Sequence, residues 1–180
     1  MTFKYQHIHI LGASGSGTTT LGEALSGTLQ YTHFDSDNYY WKTKFTEPRL
    51  REERVQNLSC DLHQADRWIL SGAVIDWGNP LIPLFDLVIF ISVPNELRMK
   101  RLEERERLRY DSAIDQDGSK HKEFIEFMEW ANCYETGGMD VRSRTQQRQW
   151  LQKLSCRVIE LDAEKPVDEL IEAALLVLRQ

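Results

Sequence analysis

The amino-acid sequence predicts an α/β fold in which a parallel β-sheet carries helices on both faces. Two observations favour this fold class. Short apolar segments of strand length alternate along the chain with longer segments of helical periodicity, which is the pattern of a parallel sheet. In addition, residues 86–93 (DLVIFISV) are almost entirely apolar, as a strand buried on both faces of such a sheet requires.

The first half of the chain supplies three strands and two helices. Residues 7–11 (HIHIL) form the first strand, and residues 18–29 follow as a helix with its leucines at helical spacing. Residues 31–34 form the second strand, residues 51–66 a helix, and residues 68–70 the third strand. Glycine or a short polar run follows each strand, so we expect polar residues to collect at the carboxyl edge of the sheet, where ligands bind in this architecture.

The second half begins with the fourth strand, residues 86–93, which Pro94 brings to an end. A strongly charged helix then runs from Asn95 to about Arg109. The remaining regular elements are a helix over residues 142–154, a last strand over residues 157–161 and a closing helix over residues 167–178.

Residues 111–140 do not continue the alternation of strands and helices. They are more polar and contain one amphipathic helix, with Phe124, Phe127, Met128 and Ala131 on a common face. We therefore expect a single domain, residues 1–180, with an insertion at about residues 110–141 that lies over the site as a lid.

Composition and charge exclude several classes of protein. A net charge of -6 and a pI near 5.4 argue against a general nucleic-acid binder or a binder of anionic membranes. No apolar stretch approaches the length of a membrane span, and the N-terminus lacks a signal-peptide pattern. Cys60, Cys133 and Cys156 are far apart and without CxxC spacing, so they indicate reduced thiols. The chain is therefore predicted to be cytoplasmic, with its oligomeric state open.

The segment GASGSGTTT, which follows the first strand, has the features of a phosphate-binding loop. Gly12, Gly17 and Thr19 fit the pattern G-x-x-x-x-G-K-[ST], in which glycines let backbone N–H groups turn inward around phosphate oxygens. The helix that follows adds partial positive charge at its N-terminus. The alternative is a flexible strand-to-helix turn, but strand, loop and helix arrive in the required order. The predicted nucleotide-binding residues are Gly12, Ala13, Ser14, Gly15, Ser16, Gly17, Thr18, Thr19 and Thr20.

One position of this loop departs from the pattern, because Thr18 stands where lysine is expected. That lysine normally contacts the outer phosphates and offsets the charge that develops during phosphoryl transfer. A threonine offers a hydrogen bond but no charge. Either another cation substitutes, with Lys42, Lys44 and the arginines of the lid as candidates, or the chain binds nucleotide and catalyses slowly.

A pair of carboxylates, Asp35 and Asp37, closes the second strand in the run THFDSDNYYW. If the strand geometry persists, both side chains point toward the site. One could hold a water of Mg²⁺ or take a proton from an attacking hydroxyl, while the other binds a substrate hydroxyl. The alternative is that both cap the next segment. We favour function because phosphoryl transfer needs acidic groups here, and we expect His33 to pack on the opposite face of the strand.

Two sets of arginines flank the predicted lid. They are Arg98, Arg101 and Arg105 on one face of the charged helix, and Arg142, Arg144 and Arg148 on the far side. The alternative is a solvated face with ion pairs, which is the usual role of such runs. Arginines at a lid can nevertheless close onto transferring phosphates. We expect one or two of the six to do so, in the order Arg101, Arg105, Arg142 and Arg144.

Four segments together resemble a known family. The runs HILGASGSGTTTLGEAL, HFDSDNYYW, WILSGA and DLVIFISVP are similar to the small P-loop kinases of the adenylate-kinase, shikimate-kinase and gluconate-kinase group. They are especially similar to the adenylate-kinase-related proteins of unknown substrate, including those labelled DNA-topology-modulation-like. The resemblance extends from His7 to the final helix and is weakest in the lid.

The resemblance implies a P-loop NTPase fold, a three-layer sandwich with a five-stranded parallel sheet of order 2-3-1-4-5 and a helical lid. It also implies ATP and Mg²⁺. Residues 15–18 would cradle the phosphates, and residues 162–166 would pack the adenine. The implied roles of single residues are metal binding by Thr19 and Asp35, a base at Asp35, binding of an acceptor hydroxyl by Asp37, and phosphate contacts by Arg101, Arg105 and Arg142.

The leading hypothesis is an ATP-dependent small-molecule kinase whose acceptor is a hydroxyl or phosphate of a nucleoside, nucleotide or polyol. Thr18 departs from the family, and the arginines that bind the acceptor phosphate in nucleoside-monophosphate kinases are not evident, which leaves a hydroxyl acceptor open. The alternative is a nucleotide-binding module or sensor with little turnover. An NTP hydrolase is weaker, because no strand ends in the hydrophobic-acidic pattern of a Walker B motif. The preference for ATP or GTP is open.

Overall fold

A central parallel sheet organises the computed structural model, which describes residues 3–179. The described chain forms the strands β1 (His7–Gly12), β2 (Thr32–Asp35), β3 (Trp41–Thr43), β4 (Glu47–Pro48), β5 (Trp68–Ser71), β6 (Leu87–Ser92) and β7 (Arg157–Asp162). β3 and β4 pair as a separate antiparallel hairpin, whereas the other five strands form a parallel sheet in the order β2-β5-β1-β6-β7. Counting only those five along the chain, the order is 2-3-1-4-5, so the predicted fold class is confirmed.

Helices cover both faces of this sheet. They are α1 (Thr18–Leu29), α2 (Ser36–Tyr40), α3 (Arg51–Gln64), α4 (Asn95–Tyr110), α5 (His121–Asn132), α6 (Arg144–Leu151) and α7 (Val167–Leu178), with short 3-10 turns at Asn79–Leu84 and Asp111–Ile114. One hydrophobic cluster joins α1 and α7 to one face of the sheet, and another joins α3, α6 and the Asn79–Leu84 turn to the opposite face. In the part of the chain that the structure describes, no helix is long and apolar enough to cross a membrane.

Strand β1 shows how alternation builds the two clusters. Ile8 and Ile10 face α1 and α7, while Leu11 packs in the cluster on the opposite side. His9 is fully buried, donates from Nδ1 to Leu70 O at 2.9 Å and stacks on Phe85 with ring centroids 4.9 Å apart. Burial lowers the pKa of His9 to about 4, against the opposing effect of the bond to Leu70, so this histidine is a neutral core residue at neutral pH.

Most element boundaries follow the sequence pattern, and the differences have local causes. The second strand lies one residue later than predicted, at Thr32–Asp35, and is followed directly by α2 and the β3–β4 hairpin, which were not expected. The helix expected over residues 142–154 is shorter, Arg144–Leu151. Its start is fixed by Ser143, whose Oγ accepts a hydrogen bond from Gln146 N at 3.0 Å as an N-cap.

Helix α4 leads into the segment for which a lid is expected. The helix ends at Tyr110, because Asp111 adopts a φ of 48° that cannot continue it. The Asp111–Ile114 turn and α5 then pack against α4. At the far end of α5, Asn95 Nδ2 donates to Asn132 Oδ1 at 2.7 Å. A role of residues 110–141 as a lid stays a prediction.

Candidate functional site

The carboxyl ends of the central strands bring the phosphate loop and the first predicted carboxylate together. β1 ends at Gly12 and β2 ends at Asp35, with β5 between them in the sheet. The Thr19 hydroxyl, in the first turn of α1, lies 3.4 Å from Asp35 Oδ2. The two residues predicted to share a metal ion are therefore neighbours across the edge of the sheet.

The loop itself has backbone geometry that only glycine adopts easily. Gly15 and Gly17 have φ angles of 84° and 92°, in the left-handed region. A methyl group at Gly15 would lie 2.7 Å from Leu102 Cγ, so the loop packs closely on α4. The hydroxyl of Ser16 is buried and has no hydrogen-bond partner among the described residues. A tight loop with positive φ angles is suited to wrap around a phosphate group.

Asp35 performs two structural tasks at once. Its Oδ2 accepts from Thr19, and its Oδ1 accepts from Asp37 N at 2.9 Å, which caps the start of α2. The capping alternative considered from the sequence is therefore correct for this residue. The cap fixes the orientation of the carboxylate toward the first turn of α1, so capping and a role in the site are compatible.

Asp37 lies in the first turn of α2 and is surrounded by positive charge. Burial raises the pKa of this carboxyl above its ordinary value, and the neighbouring Asp35 adds to the effect. The positive charges of Arg142, Lys44 and Arg105 oppose that rise. Because these three residues come from the far side of the predicted lid, the β3–β4 hairpin and α4, the fold converges on Asp37 from three separate segments.

Arg142 has both Asp37 and the phosphate loop in its surroundings. Its guanidinium lies 5.5 Å from the centroid of the Trp130 ring. Burial lowers the pKa of this guanidinium, against the opposing charge of Asp37. Arg142 also lines a narrow cleft together with Ser14 of the loop. The positive charge of Arg142 is therefore near both Ser14 of the loop and Asp37, the residue predicted to bind the acceptor hydroxyl.

The other predicted arginines take different places. Arg101 donates from Nη2 to Ala163 O at 2.9 Å, in the residue 162–166 loop for which adenine packing was implied. Arg105 is exposed and pairs with Glu106 at 2.8 Å, and its positive charge also lowers the pKa of Asp37. The structure does not bring Arg144 and Arg148 to the loop, because they pair with Glu135 and Glu160, at 3.1 and 2.7 Å.

Neither lysine that was considered as a replacement for the missing loop lysine contacts Thr18. Lys42 pairs with Glu47 within the hairpin at 3.0 Å. Lys44 lies over the ring of Phe45, with its Nζ 5.6 Å from the ring centroid, and its positive charge lowers the pKa of Asp37. Both side chains therefore lie with the β3–β4 hairpin rather than at the loop.

Two residues hold the loop from behind: Arg98, one of the six arginines but not one of the four ranked, and Gln147, which sequence reasoning missed. Arg98 donates to Ser14 O at 3.2 Å, and Gln147 donates to Gly12 O at 3.0 Å. Both residues are buried, with at most 1% of their surface exposed. One signal for Arg98 was available: it lies one helical turn before Leu102, the apolar residue that α4 buries, and therefore shares its face.

His33 lies on the same face of β2 as Asp35, so the expectation of opposite faces is wrong. Residues two apart on a strand point the same way. His33 Nε2 lies 2.9 Å from Ser71 Oγ, and Ser71 is the register partner of Asp35. Burial lowers the pKa of His33, against the opposing charge of Asp35. His33 therefore has the packing role that was predicted for it, but on the face of the strand that carries Asp35.

Comparisons with solved structures concern the fold. Over 97% of its length the chain superposes on shikimate kinase from Bacteroides thetaiotaomicron, covering 99% of that chain, with a TM-score of 0.61 at 15% identity. It also superposes on a gluconokinase from Sinorhizobium meliloti, covering 96% of this chain and 91% of that one, with a TM-score of 0.57 at 14% identity. The resemblance to shikimate and gluconate kinases is thereby confirmed for the fold.

Sequence comparisons identify relatives. No protein-family model matches the chain. A shikimate kinase from Microcystis aeruginosa is 30% identical over 111 residues, which span 54% of this chain and 57% of that protein. The protein YqaC of Bacillus subtilis (strain 168), whose own description is "uncharacterized", is 46% identical over 170 residues, which span 94% of this chain and 96% of that protein. The chain therefore belongs to the same family as the YqaC protein of Bacillus subtilis.

Proposed function

We propose that the chain is an ATP-dependent small-molecule kinase that transfers the γ-phosphoryl group to a hydroxyl or phosphate of a nucleoside, nucleotide or polyol. The observation that carries this proposal is the position of Asp37. The positive charges of Arg142, Lys44 and Arg105 lower the pKa of its partly buried carboxyl, against the larger effect of burial, and the neighbouring Asp35 is joined to the first turn of α1 through Thr19. The names of the relatives and structural neighbours, shikimate kinase and gluconokinase, agree with this reaction class.

The phosphate loop would bind the nucleotide. The backbone N–H groups of residues 13–15 and 17–20 and the N-terminus of α1 would hold the phosphates, whereas the Ser16 N–H already donates to Ala13 O. Oxygen ligands suit Mg²⁺, so the Thr19 hydroxyl and the Asp35 carboxylate are the residues that would hold it. When bound, Mg²⁺ would supply positive charge that neutralises the phosphates.

Asp37 would prepare a hydroxyl acceptor for attack. A carboxyl with a raised pKa is a better proton acceptor than an ordinary one, which suits a general base. The acceptor oxygen would form a bond to the γ-phosphorus while the bond from that phosphorus to the bridging oxygen of ATP breaks, and the acceptor proton would pass to Asp37. Arg142 would hold the charge of the transferring group, since its guanidinium senses the charge of Asp37 and its side chain lines a cleft with Ser14.

The acceptor would lie between the β3–β4 hairpin and the segment that follows α4. The hairpin reaches the last turn of α4, directly before that segment, where the Arg109 guanidinium lies 4.8 Å from the ring centroid of Phe45. We propose that residues 110–141 form the lid of the site and that the hairpin forms its opposite wall. Closing the two against each other would exclude water from the transferring group.

A second candidate is a nucleotide-binding module with little turnover. Thr18 favours it, because the loop lacks the lysine that normally offsets charge during transfer. In this alternative the loop and lid would report nucleotide occupancy to a partner, and Asp37 would have no chemical task.

Calorimetry with ATP and Mg²⁺, followed by a transfer screen, tests both candidates. The acceptors to offer are nucleosides, nucleotides and polyols, together with shikimate and gluconate. Asp37→Asn, which keeps the size of the side chain, serves as the matched control for any transfer observed. Binding with transfer to one acceptor supports the kinase, and binding without transfer supports the module. Absence of nucleotide binding would contradict both.

A further inference from the structure

Arg98 is a buried cation in contact with the phosphate loop. It lies in the first turn of α4 at 1% exposure and reaches two backbone carbonyls. Nη1 donates to Ser14 O at 3.2 Å, and Nη2 donates to Ala131 O at 2.8 Å. The carboxamide of Asn95 accepts a further bond from Nη2 at 2.6 Å and so holds the guanidinium in this orientation.

The charge of Arg98 has no dedicated counter-ion. Within residues 3–179 its guanidinium forms no ion pair, and its buried Nε has no hydrogen-bond partner. Glu135 is close enough to raise the pKa of Arg98, against the larger lowering by burial, but that carboxylate is already paired with Arg144 at 3.1 Å. Burying a charge without a counter-ion is costly, and here only neutral groups compensate it: the three oxygen acceptors and the Tyr134 ring, whose centroid lies 5.1 Å from the guanidinium.

The loop lies directly on the helix that carries this charge. A methyl group at Gly15 would be 2.9 Å from Arg98 O and 3.1 Å from Arg98 Cγ. Since guanidinium groups stay protonated, the positive charge is present at every pH at which the protein is folded. Its effect extends over several ångströms, because partly buried charges are weakly screened.

We propose that Arg98 supplies, from behind the loop, the positive charge that Thr18 does not supply from within it. The phosphates of a bound nucleotide would be the missing counter-ion of this buried guanidinium. Arg98 would be a charge-supplying and positioning residue, acting through the Ser14 peptide rather than by touching the transferring group. The inference rests on the proposed binding of nucleotide by this loop, and it explains how the loop dispenses with its lysine.

Five variants separate the charge of Arg98 from mere support of the loop. Arg98→Met removes the charge and keeps the length of the side chain, whereas Arg98→Lys keeps the charge and loses part of the hydrogen bonding. Thr18→Lys restores the usual loop lysine, both in the wild-type chain and combined with Arg98→Met. Lys100→Met is the matched control, since it removes one positive charge from an exposed position of the same helix. Calorimetry would give the dissociation constants of ATP and adenosine for every protein.

If Arg98 acts through its charge, its replacement should weaken the binding of ATP, which carries phosphates, much more than the binding of adenosine, which carries none. Arg98→Met should weaken ATP binding roughly tenfold, the order expected for one partly screened charge pair, and change adenosine binding less than twofold. The ATP dissociation constants of Arg98→Lys and Lys100→Met should stay within about threefold of the wild-type value. Thr18→Lys should restore most of the ATP affinity lost in Arg98→Met, and should raise the affinity of the wild-type chain by less than about threefold.

Two results would overturn the inference. In the first, Arg98→Met weakens the binding of ATP and of adenosine equally, and Thr18→Lys does not restore it. Loss of structural support for the loop predicts this result. The other is a gain of more than about tenfold from Thr18→Lys alone, a measurement that remains decisive if Arg98→Met does not fold. Both differ from failure of the proposed function, in which the wild-type chain would not bind ATP at all.

Discussion

Thr19 and Asp35 face each other across the open edge of the sheet, with the Thr19 hydroxyl 3.4 Å from Asp35 Oδ2. The contact joins the first turn of α1 to the end of β2. Since Asp35 also accepts from Asp37 N, the same carboxylate determines where α2 begins and where Asp37 points. The phosphate loop and the proposed base are thus oriented by one side chain.

Replacing Asp35 should separate its two tasks. Asp35→Asn can still cap α2, so the free energy of unfolding should change by less than about 0.5 kcal/mol, whereas Asp35→Ala should lose about 1 kcal/mol. Both variants should need roughly tenfold or more Mg²⁺ for half-maximal transfer, because both lose a charged oxygen ligand. Urea titrations and Mg²⁺ titrations check these expectations. Unchanged Mg²⁺ dependence in Asp35→Asn would remove Asp35 from the proposed metal site.

Replacing Asp37 should affect chemistry much more than binding. Asp37→Asn should lower the transfer rate at least about 100-fold, the size expected for loss of a general base, and leave the ATP dissociation constant within about threefold. Asp66→Asn, an exposed carboxylate away from the site, is the matched control. In the wild-type protein the rate should rise with pH through a pKa above the ordinary carboxyl value. A pH profile that Asp37→Asn leaves unaltered would contradict this role.

The same variant should make the protein more stable at neutral pH. Burial raises the pKa of Asp37 in the folded state, so the contribution of this group to stability is fully present below the unfolded pKa and is lost as the pH rises through the folded pKa. Asn carries no charge at any pH, and Asp37→Asn should therefore unfold at a higher urea concentration at pH 7 than wild type. The difference should vanish in acid.

Arg142 should matter for transfer, and Arg148 should not. Arg142→Met should lower the transfer rate roughly 100-fold, because the charge of the transferring group would lose its partner. Arg148→Met removes the same charge from an arginine that pairs with Glu160, and should stay within about twofold of wild type. Equal effects of the two substitutions on the transfer rate would indicate that only net charge matters.

His9 should make the fold sensitive to mild acid. The folded pKa of about 4 lies below the ordinary value of 6.5, so the stability associated with neutral His9 is present above pH 6.5 and is lost as the pH falls toward 4. The loss should reach about 3 kcal/mol. Urea unfolding between pH 7 and pH 4 measures it, and His9→Asn, which can keep the bond to Leu70 O, should flatten this pH dependence. An equal slope in the variant would assign the acid sensitivity to other groups.

The sequence was sufficient for elements that repeat a pattern over several turns or bury both faces. The bounds of α1 and α7 agree with the predicted ones, and β6 is the near-continuous apolar run at residues 87–92. It was not sufficient for α2 and the β3–β4 hairpin, because elements of two to five residues contain no full period and depend on tertiary contacts.

The candidate site was predictable where a motif marks it and not where packing decides it. The phosphate loop and Asp35 follow from spacing alone. Arg98 was among the six candidate arginines but could not be singled out, because arginine in a charged helix is normally solvated and only the approach of α5 and the loop buries it. Arg101 and Arg144 have the same chemistry as Arg142, and the packing of the segments around α5 and α6 decides which of the three faces Asp37.

The bond from Gln147 to Gly12 O also bears on how the protein is made. It links residues that are 135 positions apart, and the Gln147 carboxamide accepts in turn from the Tyr134 hydroxyl at 2.5 Å. A ribosome delivers Gly12 early and Gln147 only near the end of synthesis. The phosphate loop therefore gains the second of its two rear supports, after Arg98, only as the last fifth of the polypeptide is made.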